Sequence, residues 1–295
     1  MDSNAAIAIT ATMLRDWPLP MPTAEGDKAV RGHLLIVGGS REMPGAILLA
    51  ANAALRASAG KLTLATAASV APHVAAAMPE ARVIGLEETA HGGFRREAKD
   101  KLAPLAGKVN ALLVGPGMSD DAASCELMRG LLPIFSASQI IIDACAMNVV
   151  ANPSSFRFAQ PALITPHAGE MAHLTRQSKE SILADPHGAA VEAAQRWNAV
   201  VALKGALTVI ATPDGHSWSH EGGNVGLAIS GSGDTLAGII TGLAARGAPL
   251  EQACAWGIAL HALAGEQLAL RYGILGYLAR ELPAEIPALL RNLAK

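Results

Sequence analysis

The sequence predicts an α/β fold, a mainly parallel sheet with helices covering both faces. Three observations carry this reading. Short, wholly apolar segments such as Leu34-Leu35-Ile36-Val37 and Ile140-Ile141-Ile142 alternate with longer helical ones, the pattern of βαβ units whose strands are buried on both sides. The chain is 51% hydrophobic but only 3% aromatic, so Ala, Val, Leu and Ile fill its core and helices can pack closely on the sheet. Glycine or polar groups stand directly after five of the apolar segments, where open parallel sheets gather their ligands.

Residues 1–25 are expected to form an irregular or partly helical lead-in, closed by Pro18, Pro20 and Pro22. Residues 26–295 follow as one domain, because no Pro- or Ser-rich linker divides them. The first strand is 34–37, and 45–59 is a small-residue helix stopped by Gly60. Further strands are expected at 61–65, 83–84, 111–114, 140–142 and 162–164. Segments 200–203 and 208–211 are close enough for a hairpin, expected at the sheet edge. Helices are expected near 96–105, 121–131, 169–175, 187–198 and 234–246. In the last of these, Leu236, Ile239, Ile240 and Leu243 share helical spacing, while Gly238 and Gly242 thin one face for packing on the sheet. Gly247 is placed to end that helix, and Pro249 to keep it from restarting.

Composition excludes several functions. The formal net charge is −2, and the run Arg95-Arg96, Lys99, Lys101 is diluted by Glu97 and Asp100, so no basic face awaits nucleic acid. No apolar run reaches the roughly 20 residues that span a bilayer, and Met1-Asp2-Ser3-Asn4 lacks the basic start of a signal peptide. Cys125, Cys145 and Cys254 show neither metal-ligand nor redox spacing, which fits a reduced, cytoplasmic protein. No Gly-x-Ser-x-Gly elbow is present either.

The chemistry concentrates in Gly223-Asn224-Val225-Gly226-Leu227-Ala228-Ile229-Ser230-Gly231-Ser232-Gly233-Asp234, directly ahead of an apolar helix. Small residues let backbone N–H groups approach an anion, and the helix start adds unpaired donors. Gly231, Ser232 and Gly233 are therefore a candidate anion cradle. Asp234 is either an N-cap or a base beside a bound phosphate. Taken alone, the string reads better as a loop with a capped helix.

The five strand-end motifs shift that balance. They are Gly38-Gly39-Ser40, Gly115-Pro116-Gly117, Asp143, Thr165-Pro166-His167-Ala168-Gly169-Glu170 and Lys204-Gly205. Each also has a plain structural reading: glycine turns connect, His167 caps a helix, Glu170 favours a helix dipole, Asp143 caps, Lys204 anchors the hairpin. The functional readings are a ligand contact for His167, a water-bridged metal for Asp143 and a phosphate for Lys204. His33, His73 and His261 read as surface or core residues. Together, the motifs describe phosphoryl transfer. A glycine cradle holds anionic oxygens, Mg²⁺ offsets charge, and Asp234 accepts a proton from a substrate hydroxyl.

In their order and spacing, these motifs resemble one family. Gly32-His33-Leu34-Leu35-Ile36-Val37-Gly38-Gly39-Ser40, Pro44-Gly45-Ala46, Gly115-Pro116-Gly117, the Thr165–Glu170 string, Leu203-Lys204-Gly205-Ala206-Leu207-Thr208 and Gly231-Ser232-Gly233-Asp234 are collinear with the ADP-dependent NAD(P)H-hydrate dehydratases. These are carbohydrate-kinase-like members of the ribokinase-like superfamily. The resemblance implies a ribokinase-like three-layer α/β/α domain that restores NADH and NADPH from their hydrates. ADP phosphorylates the ring hydroxyl of the S-epimer, and phosphate then leaves. It implies a hydrate site at Ala46, Gly117, His167 and Asp234, with Asp234 as base. Lys204, Gly205, Ala206, Leu207, Thr208 and Gly233 would contact ADP, with Mg²⁺ as cofactor and no metal ligand assigned.

The resemblance also implies a homotetramer or other homo-oligomer, and a separate epimerase as functional partner, since too few residues precede the match to form that domain. The chain departs from the family pattern at Cys145, where the family has Asp, at Ile229 and Ser230, where it has Thr and Gly, and at Ala168, where it has Pro. Without the resemblance, the motifs also fit a ribokinase-like kinase of another small hydroxylated metabolite, or a nucleotide-binding relative without turnover.

Overall fold

The computed structural model describes residues 6–22, 31–119, 122–151 and 156–294. Strand β1 (Ile7–Ala8) and helix α1 (Ala11–Asp16) come first. Three strand–helix steps follow: β2 (His33–Val37) with α2 (Pro44–Arg56), β3 (Lys61–Ala67) with α3 (Ala71–Ala77), and β4 (Ala81–Leu86) with α4 (Ala98–Leu102). Then come β5 (Ala111–Val114), α5 (Ala122–Ile134), β6 (Gln139–Ile142) and β7 (Ala162–Ile164). Helices α6 (Ala168–Thr175), α7 (Lys179–Ala184) and α8 (Pro186–Trp197) lead into the meander β8 (Ala199–Leu203), β9 (Leu207–Ala211) and β10 (Ser217–Glu221). Helices α9 (Ser232–Ala245), α10 (Leu250–Tyr272) and α11 (Leu282–Leu293) close the chain.

All ten strands join one sheet in the order β1-β10-β9-β8-β7-β6-β5-β2-β3-β4. From β4 to β8 every neighbouring pair is parallel. The pleat sends alternate residues to opposite faces. Leu34 and Ile36 pack with α2, α9 and α10 on one side, whereas Leu35 and Val37 pack with α5 and α8 on the other. All four are fully buried. This is why the strands read as unbroken apolar runs, and it makes the three α/β/α layers. Among the described residues, no helix is long and apolar enough to cross a membrane.

The structure corrects three expectations. The β8–β9 hairpin is antiparallel as expected but lies inside the sheet, because β9 continues into β10 and β10 pairs with β1. The sequence Ser217-Trp218-Ser219-His220-Glu221 has no apolar run to announce a strand; only Trp218 supplies substantial apolar bulk, stacking on Trp17 at 5.6 Å between ring centroids. Pro249 does not block a helix but stands at the N-cap of α10, where a missing N–H is harmless and proline's fixed φ suits helix entry. Helix α10 went unforeseen because it is buried on most sides and so lacks a polar face to betray its period.

The third correction concerns Gly238 and Gly242. They do thin one face of α9, but the close neighbour is helix α2. A side chain begun at Gly242 would place its Cβ 2.5 Å from the Ala54 carbonyl oxygen, and Gly238 meets the Ala50 backbone in the same way. Gly45 at the start of α2 is the contrary case, with nothing within 4 Å of its absent Cβ.

Gly242→Ala should therefore destabilise the fold by about 1–3 kcal/mol through overpacking. Gly45→Ala should raise stability by about 0.5–1 kcal/mol through lost backbone freedom in the unfolded chain. Denaturant titration of both variants checks the pair, and equal effects would show that α9 does not press on α2.

Candidate active site

Strands β2, β5, β6, β7 and β8 are neighbours in that order and parallel, so the five strand-end motifs lie side by side on one edge. Backbone bonds tie them together. The Gly39 N–H donates to the Pro116 carbonyl at 2.6 Å, and the Lys204 N–H to the Pro166 carbonyl at 2.8 Å. A cavity of about 970 Å³ opens over the β6–β8 part of this edge. Asp143, His167, Lys204 and Asp234 line it, together with the apolar Leu227 and Ala262.

Helix α9 begins at that cavity, and its entry explains the cradle. Gly231 is the N-cap, held left-handed at φ 86°, with the Leu49 side chain against it. A side chain there would be strained and would collide. The Gly231 carbonyl accepts from the Thr235 N–H at 3.0 Å and from the Thr235 hydroxyl at 2.9 Å. The Ser232 N–H donates to the Ile229 carbonyl at 3.2 Å. The N–H groups of Gly233 and Asp234 have no acceptor among the described residues. Two unpaired donors at the positive end of a helix have the geometry to hold an anion. Ile229 and Ser230 leave this arrangement intact, since Ile229 contributes through its carbonyl.

Asp234 is the third helical residue, so the N-cap reading fails; Gly231 holds that place. Its carboxyl is half-buried and its pKa is pushed up to about 6, first by desolvation and then by the charge of Asp143, against the opposing pull of Lys204. Asp143 itself is buried. Its Oδ1 accepts from the Thr165 hydroxyl at 2.6 Å and faces Lys204 Nζ at 3.5 Å. It stands at the N-cap of the 3-10 turn Ala144–Val150 but makes no side-chain capping bond there. Lys204 Nζ also lies 4.0 Å from Glu170 Oε2, and 3.7 Å from where a Gly233 side chain would begin. The ammonium thus sits at the mouth of the cradle.

For His167 both readings meet. Its Nδ1 accepts from the Gly169 and Glu170 N–H groups at 3.0 and 3.2 Å, and Glu170 Oε2 accepts from the His167 N–H at 2.7 Å, a reciprocal cap on α6. Nε2 lies 3.6 Å from that same Glu170 Oε2 on a side chain 60% exposed, and the ring lines the cavity. Gly205, Ala206 and Thr208 line it as well, whereas Leu207 does not. Ala46 and Gly117 also lie outside it. They touch each other beside Gly39, so that a Cβ at Gly117 would fall 2.7 Å from that of Ala46. A smaller cavity of about 390 Å³, with Cys145 and Asn148 in its wall, shares His167 and Glu170 with the large one.

Sequence reasoning gave no site role to Asn224, Leu227, Ala262 or His261, all of which line the large cavity. His261 was read as surface or core. It is buried as the second alternative says, yet it reaches the site from α10, a helix the sequence did not reveal. Among the described residues no group of three His, Cys, Asp or Glu could hold a metal alone. A divalent cation here would need oxygen donors from Asp143 or Asp234 together with those of a bound phosphate.

The Carb_kinase family model, for NAD(P)H-hydrate dehydratases, matches residues 34–288. An ADP-dependent (S)-NAD(P)H-hydrate dehydratase of Xanthomonas campestris is 46% identical over 287 residues, covering 97% of each chain. A bifunctional NAD(P)H-hydrate repair enzyme Nnr of Moorella thermoacetica is 40% identical over 97% of this chain, which spans 54% of that longer protein. Among solved structures, the ADP/ATP-dependent NAD(P)H-hydrate dehydratase of Bacillus subtilis, crystallised with ATP/Mg²⁺, superposes with a TM-score of 0.84 at 29% identity, covering 98% of this chain and 99% of that one. A carboxyl of raised pKa, two unpaired N–H donors and a lysine meet on one sheet edge, and sequence and fold agree along nearly the whole length: the chain belongs to the NAD(P)H-hydrate dehydratase family.

Proposed function

We propose that this protein returns the S-epimers of hydrated NADH and NADPH to NADH and NADPH, driven by ADP. One observation carries the reading. A carboxylate of raised pKa stands on the same helical turn as two unpaired N–H donors, facing Lys204. The names of the Xanthomonas and Bacillus relatives supply the substrate.

The chemistry follows from that turn. The ring hydroxyl oxygen bonds to the β-phosphorus of ADP as the bond from that phosphorus to the bridging oxygen breaks, releasing AMP. Asp234 takes the hydroxyl proton. With a pKa near 6 it is mostly ionised at neutral pH yet basic enough to accept. The Gly233 and Asp234 N–H groups and Lys204 hold the oxygens of the moving phosphoryl group. Phosphate then leaves the ring with its oxygen, a proton leaves the neighbouring carbon, and the double bond returns.

Lys204, Gly205, Ala206, Thr208 and Gly233 would hold ADP along the large cavity, with Leu207 contributing from outside its wall. Ala46, Gly117 and His167 would hold the hydrate, approaching Asp234 from the β2–β5 side. Mg²⁺ fits this oxygen-rich site, with Asp143 as its protein partner, and would offset phosphate charge there. The exposed Leu270, Ile274 and Leu275 offer an apolar surface for a homotetramer. A separate epimerase, supplying the S-epimer, completes the proposed repair.

Purified protein should restore the nicotinamide absorbance of hydrated NADH when given Mg²⁺ and ADP; no restoration with ADP or ATP would refute the assignment. Asp234→Asn should lower kcat by about 10²–10⁴-fold while ADP affinity, measured by calorimetry, stays within a few-fold.

In the wild type, kcat/KM should climb with pH and level off above about 6. In Asp143→Asn that inflection should move to lower pH, because Asp143's charge helps to raise the Asp234 pKa. An unmoved inflection would unlink the two carboxyls.

Asp234 is also expected to weaken the fold at neutral pH. Its folded pKa, about 6, exceeds the ordinary 3.8, so between these values the folded state binds more protons and stability falls as pH rises. Asp234→Asn should therefore melt higher at pH 7.5, by roughly 1–3 kcal/mol in stability, with the gain gone below pH 4. A lower melting temperature at pH 7.5 would contradict the raised pKa.

A further inference from the structure

His261 is the one buried histidine in the cavity wall to which the reaction above gives no part. It lies on α10, 8% exposed, and its Nε2 is 3.0 Å from the hydroxyl of Ser232. Ser232 is the first residue of α9, 4% exposed, and lines the cavity beside Gly233. Its own N–H is already spent on the Ile229 carbonyl, so Ser232 can serve an anion only through its hydroxyl. Burial holds the imidazole neutral, with its pKa down at about 4.

A neutral imidazole offers either an N–H or a lone pair at Nε2. If Nε2 accepts, the serine proton is consumed and only oxygen lone pairs remain for the cradle, where they would repel a phosphate. If Nε2 donates, it occupies a serine lone pair and frees the hydroxyl proton to become a third donor beside the Gly233 and Asp234 N–H groups. From this geometry we infer that His261 is a positioning residue: it donates from Nε2 to Ser232 and turns that hydroxyl toward the terminal phosphate of the bound nucleotide. A charged imidazolium could donate as well, but burial excludes it. A leucine could neither donate nor accept.

The inference rests on the nucleotide reading of the cavity, and its test separates phosphate from base. ADP and adenosine are titrated calorimetrically, without hydrate, into the wild type, His261→Leu, His261→Gln, Ser232→Ala and the double variant His261→Leu/Ser232→Ala. A hydrogen bond to a charged group is worth enough that ADP affinity should fall about tenfold in His261→Leu and in Ser232→Ala. Adenosine affinity should stay constant. The double variant should be no worse than either single one, since both remove the same contact. His261→Gln keeps an N–H donor and should recover most of the loss.

Undiminished ADP affinity in His261→Leu, equal losses for ADP and adenosine, or additive losses in the double variant would each overturn the assignment. A wild type that binds no ADP would overturn it together with the proposed reaction. A wild type that shows the expected pattern but fails to restore hydrated NADH would remove the reaction and leave His261 in its role.

Discussion

The close approach of α9 to α2 is the constraint on which the site depends. Two glycines a helical turn apart let the α9 backbone lie against the carbonyls of Ala50 and Ala54. The helix start, one turn earlier, is thereby fixed over the sheet edge. Leu49, also from α2, then abuts Gly231 and sets the left-handed entry. Positions of the Gly233 and Asp234 N–H groups thus follow from interior packing rather than from loop conformation. A cradle held this way loses little by reorganising when charge arrives, which is what electrostatic catalysis requires.

Charge in the site is arranged so that two carboxylates share one ammonium. Asp143 is satisfied: it is buried, accepts from Thr165 and faces Lys204. Asp234 is left with the unfavourable part of the arrangement, desolvated and near a like charge. Two groups of the same chemical kind are thereby driven apart, one holding a lysine and the other, in the proposed reaction, taking a proton. Placing the raised pKa on a helix's first turn also limits the penalty, because the dipole favours its ionised form.

Most of the sheet was legible in the sequence because parallel strands buried on both faces leave an unmistakable mark, as at 34–37, 111–114 and 140–142. The strand-end residues Asp143, His167 and Lys204 were legible for the same reason, since each follows such a run. Strand β10 was not, because one bulky apolar side chain among polar neighbours carries no pattern. Helix α10 was hidden by the opposite condition, being buried nearly all round, and His261 was hidden with it. The choice between sheet and helix as the partner of Gly238 and Gly242 depends on tertiary placement that no local spacing encodes. So does the distance between Ala46 and the cavity.

The lead-in segment ties the beginning of the chain to the wall of the cavity. Strand β1 pairs with β10, and the Ile9 carbonyl lies 3.4 Å from Nδ1 of His220, a cavity-lining residue. Gln252 and Trp256 hold the Trp17 carbonyl from the other side. A displacement at Ile7 would pass along β1 into the wall of the cavity, with only one hydrogen-bonded ladder between them.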